Sequence, residues 1–252
     1  MRAPAIGLAL ILVLAACQPS ATASPSASAS AVASAAPSEP APSGSEVACD
    51  PAQGVVCNGP LPAGDYVSEG TGAHIEFTLD DHDWSGLAEA PGVGFGLLLA
   101  DVPDSAISAL AFTGEYFTDA CDSEAGTSTI EPTPAEFMAM LAGRPGVTAS
   151  DPIEVEVGGR PGLQVDLTTA VSAECAATND GQISVWPMHP VGPFDFEDQE
   201  MARMIAVDAG SATVILIAEA RSIVEDYDHF LEHFTEVIDS MTITPIDRGL
   251  ST

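Results

Sequence analysis

Residues 153–167 read IEVEVGGRPGLQVDL. Ile153, Val155 and Val157 alternate with Glu154 and Glu156. After Gly158-Gly159-Arg160-Pro161-Gly162 the alternation resumes, with Leu163, Val165 and Leu167 set around Gln164 and Asp166. A period of two is that of a strand, and the glycines supply the positive φ angles of a tight turn, so the stretch predicts a β-hairpin.

The same pattern recurs on both sides. Met204–Asp208 and Thr213–Ile217 form a second pair of apolar runs, joined through Ala209-Gly210-Ser211. A third hairpin is expected where Asn179-Asp180-Gly181 precedes Gln182 to Trp186. Upstream, Ala73–Leu79 alternates and leads to Trp84, and the runs Val93–Ala100 and Ala106–Thr113 flank a turn at Asp101–Ser105. Gly92-Val93-Gly94-Phe95-Gly96 lacks the spacing and helical sequel of a dinucleotide-binding loop and reads as the opening of a strand.

Two segments carry a helical period. Thr133 is an N-cap candidate before Pro134, and the helix runs to Leu141 before Gly143 and Pro145 end it. The second begins near Ser222 and extends to about Ser240, with Tyr227, Phe230, Leu231, Phe234, Val237, Ile238 and Met241 three and four apart. Met241–Thr244 then reads as a last short strand. The expected class is α+β: a mainly antiparallel sheet packed with two helices.

The charge balance excludes several functions. The chain has 37 acidic residues against six arginines and no lysine, a formal net charge of −31. Schiff-base lysines, lysine-bearing phosphate loops and nucleic-acid backbones are thereby ruled out as chemistry or partners. Attraction to anionic headgroups is ruled out as well, and the acidity reads as a solubility feature of an exposed protein.

The first residues give an address. Residues 1–16 pair the positive Met1-Arg2 end with an apolar segment far shorter than the about 20 residues that span a bilayer. That is a secretory signal. Residues 17–46 are almost wholly Ser, Ala, Pro and Thr after Cys17, a composition expected to stay disordered and act as a tether. Residues 47–252 remain for a single folded domain.

Leu14-Ala15-Ala16-Cys17 resembles the lipobox of bacterial lipoproteins. The resemblance implies that Cys17 becomes the lipidated N-terminus, bearing a diacylglycerol and an added acyl chain such as palmitate. Two or three chains hold firmly where one holds only marginally. The expected location is the extracytoplasmic side of the cell membrane.

Four cysteines follow: Cys49, Cys57, Cys121 and Cys175. An even number in an exported chain implies disulfides. Four allow three connectivities; Cys49 and Cys57 bracket a turn-rich stretch that can close on itself, and the expected pairing joins them and leaves Cys121 with Cys175. The rival, a four-thiolate zinc site, lacks the usual paired spacing.

The order of elements also resembles the Mog1/PsbP-like group of extracytoplasmic lipoproteins. The resemblance is carried by the Trp84 position, the helix before Gly143-Arg144-Pro145-Gly146, the 157–162 turn and the long helix before Met241-Thr242-Ile243. It implies a non-enzymatic accessory or binding role, with an unidentified protein or small-molecule partner and no cofactor.

His229-Phe230-Leu231-Glu232-His233 spells HxxEH, similar to the inverted zinc-peptidase signature. On a helical wheel both histidines fall off the Tyr227, Phe230, Leu231, Phe234 stripe and are expected to face solvent. No catalytic residue and no metal site are therefore expected. The alternative keeps His229, Glu232 and His233 as the zinc centre of a metal-dependent hydrolase. A third reading is a cation-binding envelope protein. Its candidates are the acidic stretches Asp80-Asp81-His82-Asp83 and Asp195–Glu200, neither of which has the spacing of a calcium loop. Both read as solvated loops. Trp84, Trp186, Tyr116 and Phe117 read as core or rim, with a small-molecule pocket as the sharper possibility.

Overall fold

The computed structural model describes residues 56, 58–210, 212–221 and 227–246. Cys17, Cys49, Cys57, the signal and the tether lie outside the described residues. All of the described residues belong to one compact unit with bounds Glu46–Thr252.

In the first half of the chain the strands are β1 (Gly59–Leu61), β2 (Gly64–Ser68), β3 (Ala73–Leu79), β4 (Trp84–Ala90), β5 (Gly94–Leu99), β6 (Ser105–Phe112), β7 (Glu115–Phe117) and β8 (Thr127–Thr129). The second half adds β9 (Val147–Ala149), β10 (Ile153–Val157), β11 (Arg160–Thr169), β12 (Ile183–Met188), β13 (Gly192–Phe196), β14 (Met201–Asp208), β15 (Thr213–Ala220) and β16 (Thr242–Pro245). Three helices interrupt them: α1 (Pro134–Ala142), α2 (Ala173–Thr178) and α3 (Tyr227–Asp239).

The expected hairpin is present as β10–β11. Its turn is shorter than the glycine run suggested, because only Gly158 and Gly159 lie outside the strands, at φ 59° and 74°. Pro161 is tolerated within β11 because its pairing with β14 starts one residue later, at Gly162 opposite Val207. Leu163 sits opposite Glu154, so the apolar residues of the two strands serve opposite faces.

That arrangement extends across the whole central sheet, ordered β1-β4-β5-β6-β15-β14-β11-β10 with β9 also pairing β11, all antiparallel. Both faces are covered. Val214, Leu216 and Ala218 of β15 join one apolar cluster while Ile215 and Ile217 join the other. An antiparallel strand buried on both faces reads as a continuous apolar run, which is why Thr213–Ala220 does not alternate.

One face carries the small sheet β16-β3-β2 together with α3, whose Phe230, Phe234, Val237 and Ile238 pack with Ile75, Phe77 and Leu79. The other carries α1 and the β12–β13 hairpin, with Trp186 stacked on Phe194 and edge-on to Phe112 and Phe137. The class is the α+β expected from the sequence, with a short third helix added.

Helix α1 starts and stops as the sequence dictates. Thr133 Oγ1 accepts from the Glu136 N–H, Pro134 occupies the first turn, and Gly143 N–H closes on Ala139 O. The 179–181 stretch is a correction. Asn179 ends α2 instead of turning a hairpin, and β12 pairs with β13 through the turn after Met188. Helix α2 is short, capped by Ser172 and tied down by the Cys121–Cys175 disulfide. The start of α3 expected at Ser222–Asp226 lies outside the described residues.

Candidate functional site

Helix α3 and the loop between β3 and β4 meet at the rim of the first apolar cluster. The loop is the acidic stretch Asp80–Asp83. Its Asp80 Oδ1 accepts from the Trp84 indole N–H at 3.0 Å, and Asp80 Oδ2 lies 3.1 Å from His82 Nε2. The His82 ring then meets the His233 ring edge-on, with centroids 4.4 Å apart.

His233 is the correction that matters most. The sequence placed it in solvent, yet it is only 6 % exposed. At 100° per residue it sits about 100° from the centre of the apolar stripe, on the flank. A wheel counts only the helix itself, whereas here Trp84 and His82 close over that flank. His229, one turn earlier and further round, keeps its expected exposure, as does Glu232.

The polar atoms of this group are unevenly satisfied. His233 Nε2 lies 3.3 Å from His229 Nε2, and His229 Nδ1 lies 3.3 Å from Glu232 Oε2. His233 Nδ1 is buried and has no hydrogen-bond partner; Glu236 Oε2 stands 3.7 Å away. One ligand atom from each of Asp80, His82, His233 and Glu236 lies within 4.8 Å of the other three. A depression of about 350 Å³ opens beside them, lined by Thr78, Trp84 and Ser240. HxxEH and the acidic loop each drew notice in the sequence, but their meeting depends on α3 packing against β3.

A second site lies on the opposite face. A groove of about 420 Å³ runs between the edge of β4–β6 and the β12–β13 hairpin. Val93, Leu110 and Phe194 supply apolar walls, and the exposed Leu87 and Val191 lie among its lining residues. Asp195, Glu219 and Arg221 give it a polar end. Burial pushes the Asp195 and Glu219 carboxyls above their ordinary range, and Asp195 Oδ1 is buried without a partner.

Glu200 is also misread by sequence. The 195–200 stretch is not a wholly solvated loop, because Glu200 is buried and its carboxyl is pushed up to about 8, first by burial and next by the Glu219 charge. Its Oε2 accepts from the Glu197 N–H at 2.8 Å, while Thr169 Oγ1 donates to Glu197 O at 2.6 Å. Of the aromatic candidates, Trp186 is core; Trp84 is buried at the rim of the histidine group.

No protein-family model matches the chain, and no curated protein sequence does either. Among solved structures it is similar to LpqN, described as involved in cell envelope biogenesis of Mycobacterium tuberculosis. The TM-score there is 0.40 at 18 % identity, over 75 % of this chain and 92 % of that one. It is similar to cyanobacterial PsbP from Synechocystis at a TM-score of 0.36 and 14 % identity, over 75 % and 95 %. The immunity protein TplEi of Pseudomonas aeruginosa follows at 0.30 and 12 %, over 71 % and 47 %. The PsbP group named from the sequence is thus represented, but none of these likenesses is strong enough to carry a function. Among the described residues no helix is long and apolar enough to cross a membrane.

Proposed function

We propose that the protein is a lipid-anchored extracytoplasmic module that acts by binding and not by catalysis, with the groove beside the β12–β13 hairpin as its ligand site. The observation that carries the reading is the groove itself. Its volume of about 420 Å³ is that of a small-molecule site, and large apolar side chains line it in the open. Asp195 and Glu219, whose carboxyls burial pushes up, place hydrogen-bonding groups at one end of an otherwise apolar groove. Cys17 supports the address: an anchor there would hold the folded unit on a tether beside the membrane, where such ligands partition.

Two measurements test this. The neutral apolar dye Nile red should bind the full-length chain saturably at one site, and Leu87→Glu or Val191→Glu should weaken that binding at least about tenfold. Dye binding that ignores both substitutions would end the groove reading. Fractionation tests the anchor: Cys17→Ser should move the protein from the membrane fraction to the soluble one, and an unchanged distribution would contradict it.

A further inference from the structure

The geometry points to a transition-metal site, zinc first, made by Asp80, His82, His233 and Glu236, in which the rest of HxxEH serves as an outer support and not as the ligand set. The inference does not rest on the groove. It departs from both sequence readings of the motif, which gave either no metal or ligation by His229, Glu232 and His233.

Four observations converge. The four ligand atoms lie within 4.8 Å of one another, with two of the contacts already at 3.1 Å and 3.7 Å. Tetrahedral zinc with bonds of about 2.0–2.1 Å needs its ligands about 3.3 Å apart. Rotation of the exposed Asp80, His82 and Glu236 side chains closes that gap without moving buried His233. The donor set is two nitrogens and two carboxylate oxygens, which suits zinc and its neighbours and not calcium or magnesium. Two carboxylates also cancel the charge of a divalent ion, so the site adds no net charge at the rim of the apolar cluster.

The third observation is His233 itself. It is more than nine-tenths buried and its Nδ1 is unpartnered toward Glu236. A buried ring nitrogen without a partner is costly unless something occupies its lone pair. The fourth is the other side of that ring. With Nδ1 on a metal, neutral His233 carries its proton on Nε2 and donates to His229 Nε2. His229 then carries its own proton on Nδ1 and donates to Glu232. One proton arrangement satisfies both contacts, and it is the outer-shell chain that orients a metal-bound histidine. Four protein ligands make a closed, structural site that clamps α3 to the β3–β4 loop.

The test loads the full-length chain, purified in detergent, with zinc, dialyses it against metal-free buffer and counts zinc by mass spectrometry. Competition with a chromogenic chelator then gives affinities. One zinc per chain is expected. His82→Ala and Glu236→Gln, both at exposed positions that leave the fold intact, should each weaken binding at least about 100-fold. His229→Ala should weaken it about tenfold, the cost of an outer-shell partner. Failure of the unchanged protein to retain zinc overturns the proposal. So does retention by His82→Ala and Glu236→Gln together with loss in His229→Ala, which would return ligation to the HxxEH pair.

Discussion

The two faces of the central sheet are held by different means. On the α1 face, structure is stapled. Cys121–Cys175 closes a loop of sequence separation 54, and the buried Arg144 guanidinium donates to the carbonyls of Phe117, Asp119 and Ser184. On the α3 face the apolar stripe ends in four ionisable side chains from two elements, with one buried nitrogen left unpartnered. One face is fixed by a covalent bond and a hydrogen-bonded guanidinium. The other is completed by carboxylates and imidazoles, the groups of the proposed metal site. The proposal therefore expects two sensitivities within a single domain, to reductant on one side and to metal on the other.

The largest break in that contrast is expected at Arg144. Arg144→Met leaves three backbone carbonyls without their charged donor in a buried setting, and should cost about 4–5 kcal/mol in urea unfolding. Replacing Cys121 and Cys175 together by Ser should cost about 2–4 kcal/mol, a range set by the loop closed in the unfolded chain. Neither change should alter metal binding on the far face.

Glu200 sharpens the comparison through pH. Its folded value of about 8 lies above the ordinary carboxylate range, so the folded state binds the extra proton. The stability this contributes is fully present below about pH 4.5 and is lost as pH rises through 8, at up to about 1.4 kcal/mol per pH unit. Glu200→Gln keeps the neutral shape, and should flatten that fall and raise stability at pH 8 by about 2–3 kcal/mol. A Tm–pH profile identical to that of the unchanged protein would contradict the burial argument.

The smallest effect should come from the hairpin tip. Gly158 sits at φ 59°, and a Cβ there would lie 2.6 Å from Ile243 N in β16. Gly158→Ala should cost about 1–2 kcal/mol and loosen the α3 face alone, readable as faster amide exchange in β16.

What was legible in the sequence was local. Ala73–Leu79, the cap and stop of α1, and the 153–157 strand need only neighbours in the chain to declare themselves. The Asn179-Asp180-Gly181 signal failed because the same residue types end helices and turn hairpins. The six residues of α2 are too few to show a period, and Ser172 and the disulfide hold them in place. Burial of His233 and Glu200 was not legible for a different reason. Each is polar, each sits beside residues that do face water, and each is covered by an element distant in sequence. The histidine group required α3 to meet the 80–83 loop, about 150 residues earlier, and no spacing in one segment announces such a meeting.

Hydrogen exchange on the full-length chain, with zinc and with a chelator, tests the division between the faces most directly. Zinc should slow exchange in β3, the 80–83 loop, α3 and β16 while leaving α1, β12 and β13 unchanged, and Glu236→Gln should abolish the difference. Protection spread evenly over both faces, or no protection at all, would contradict the account.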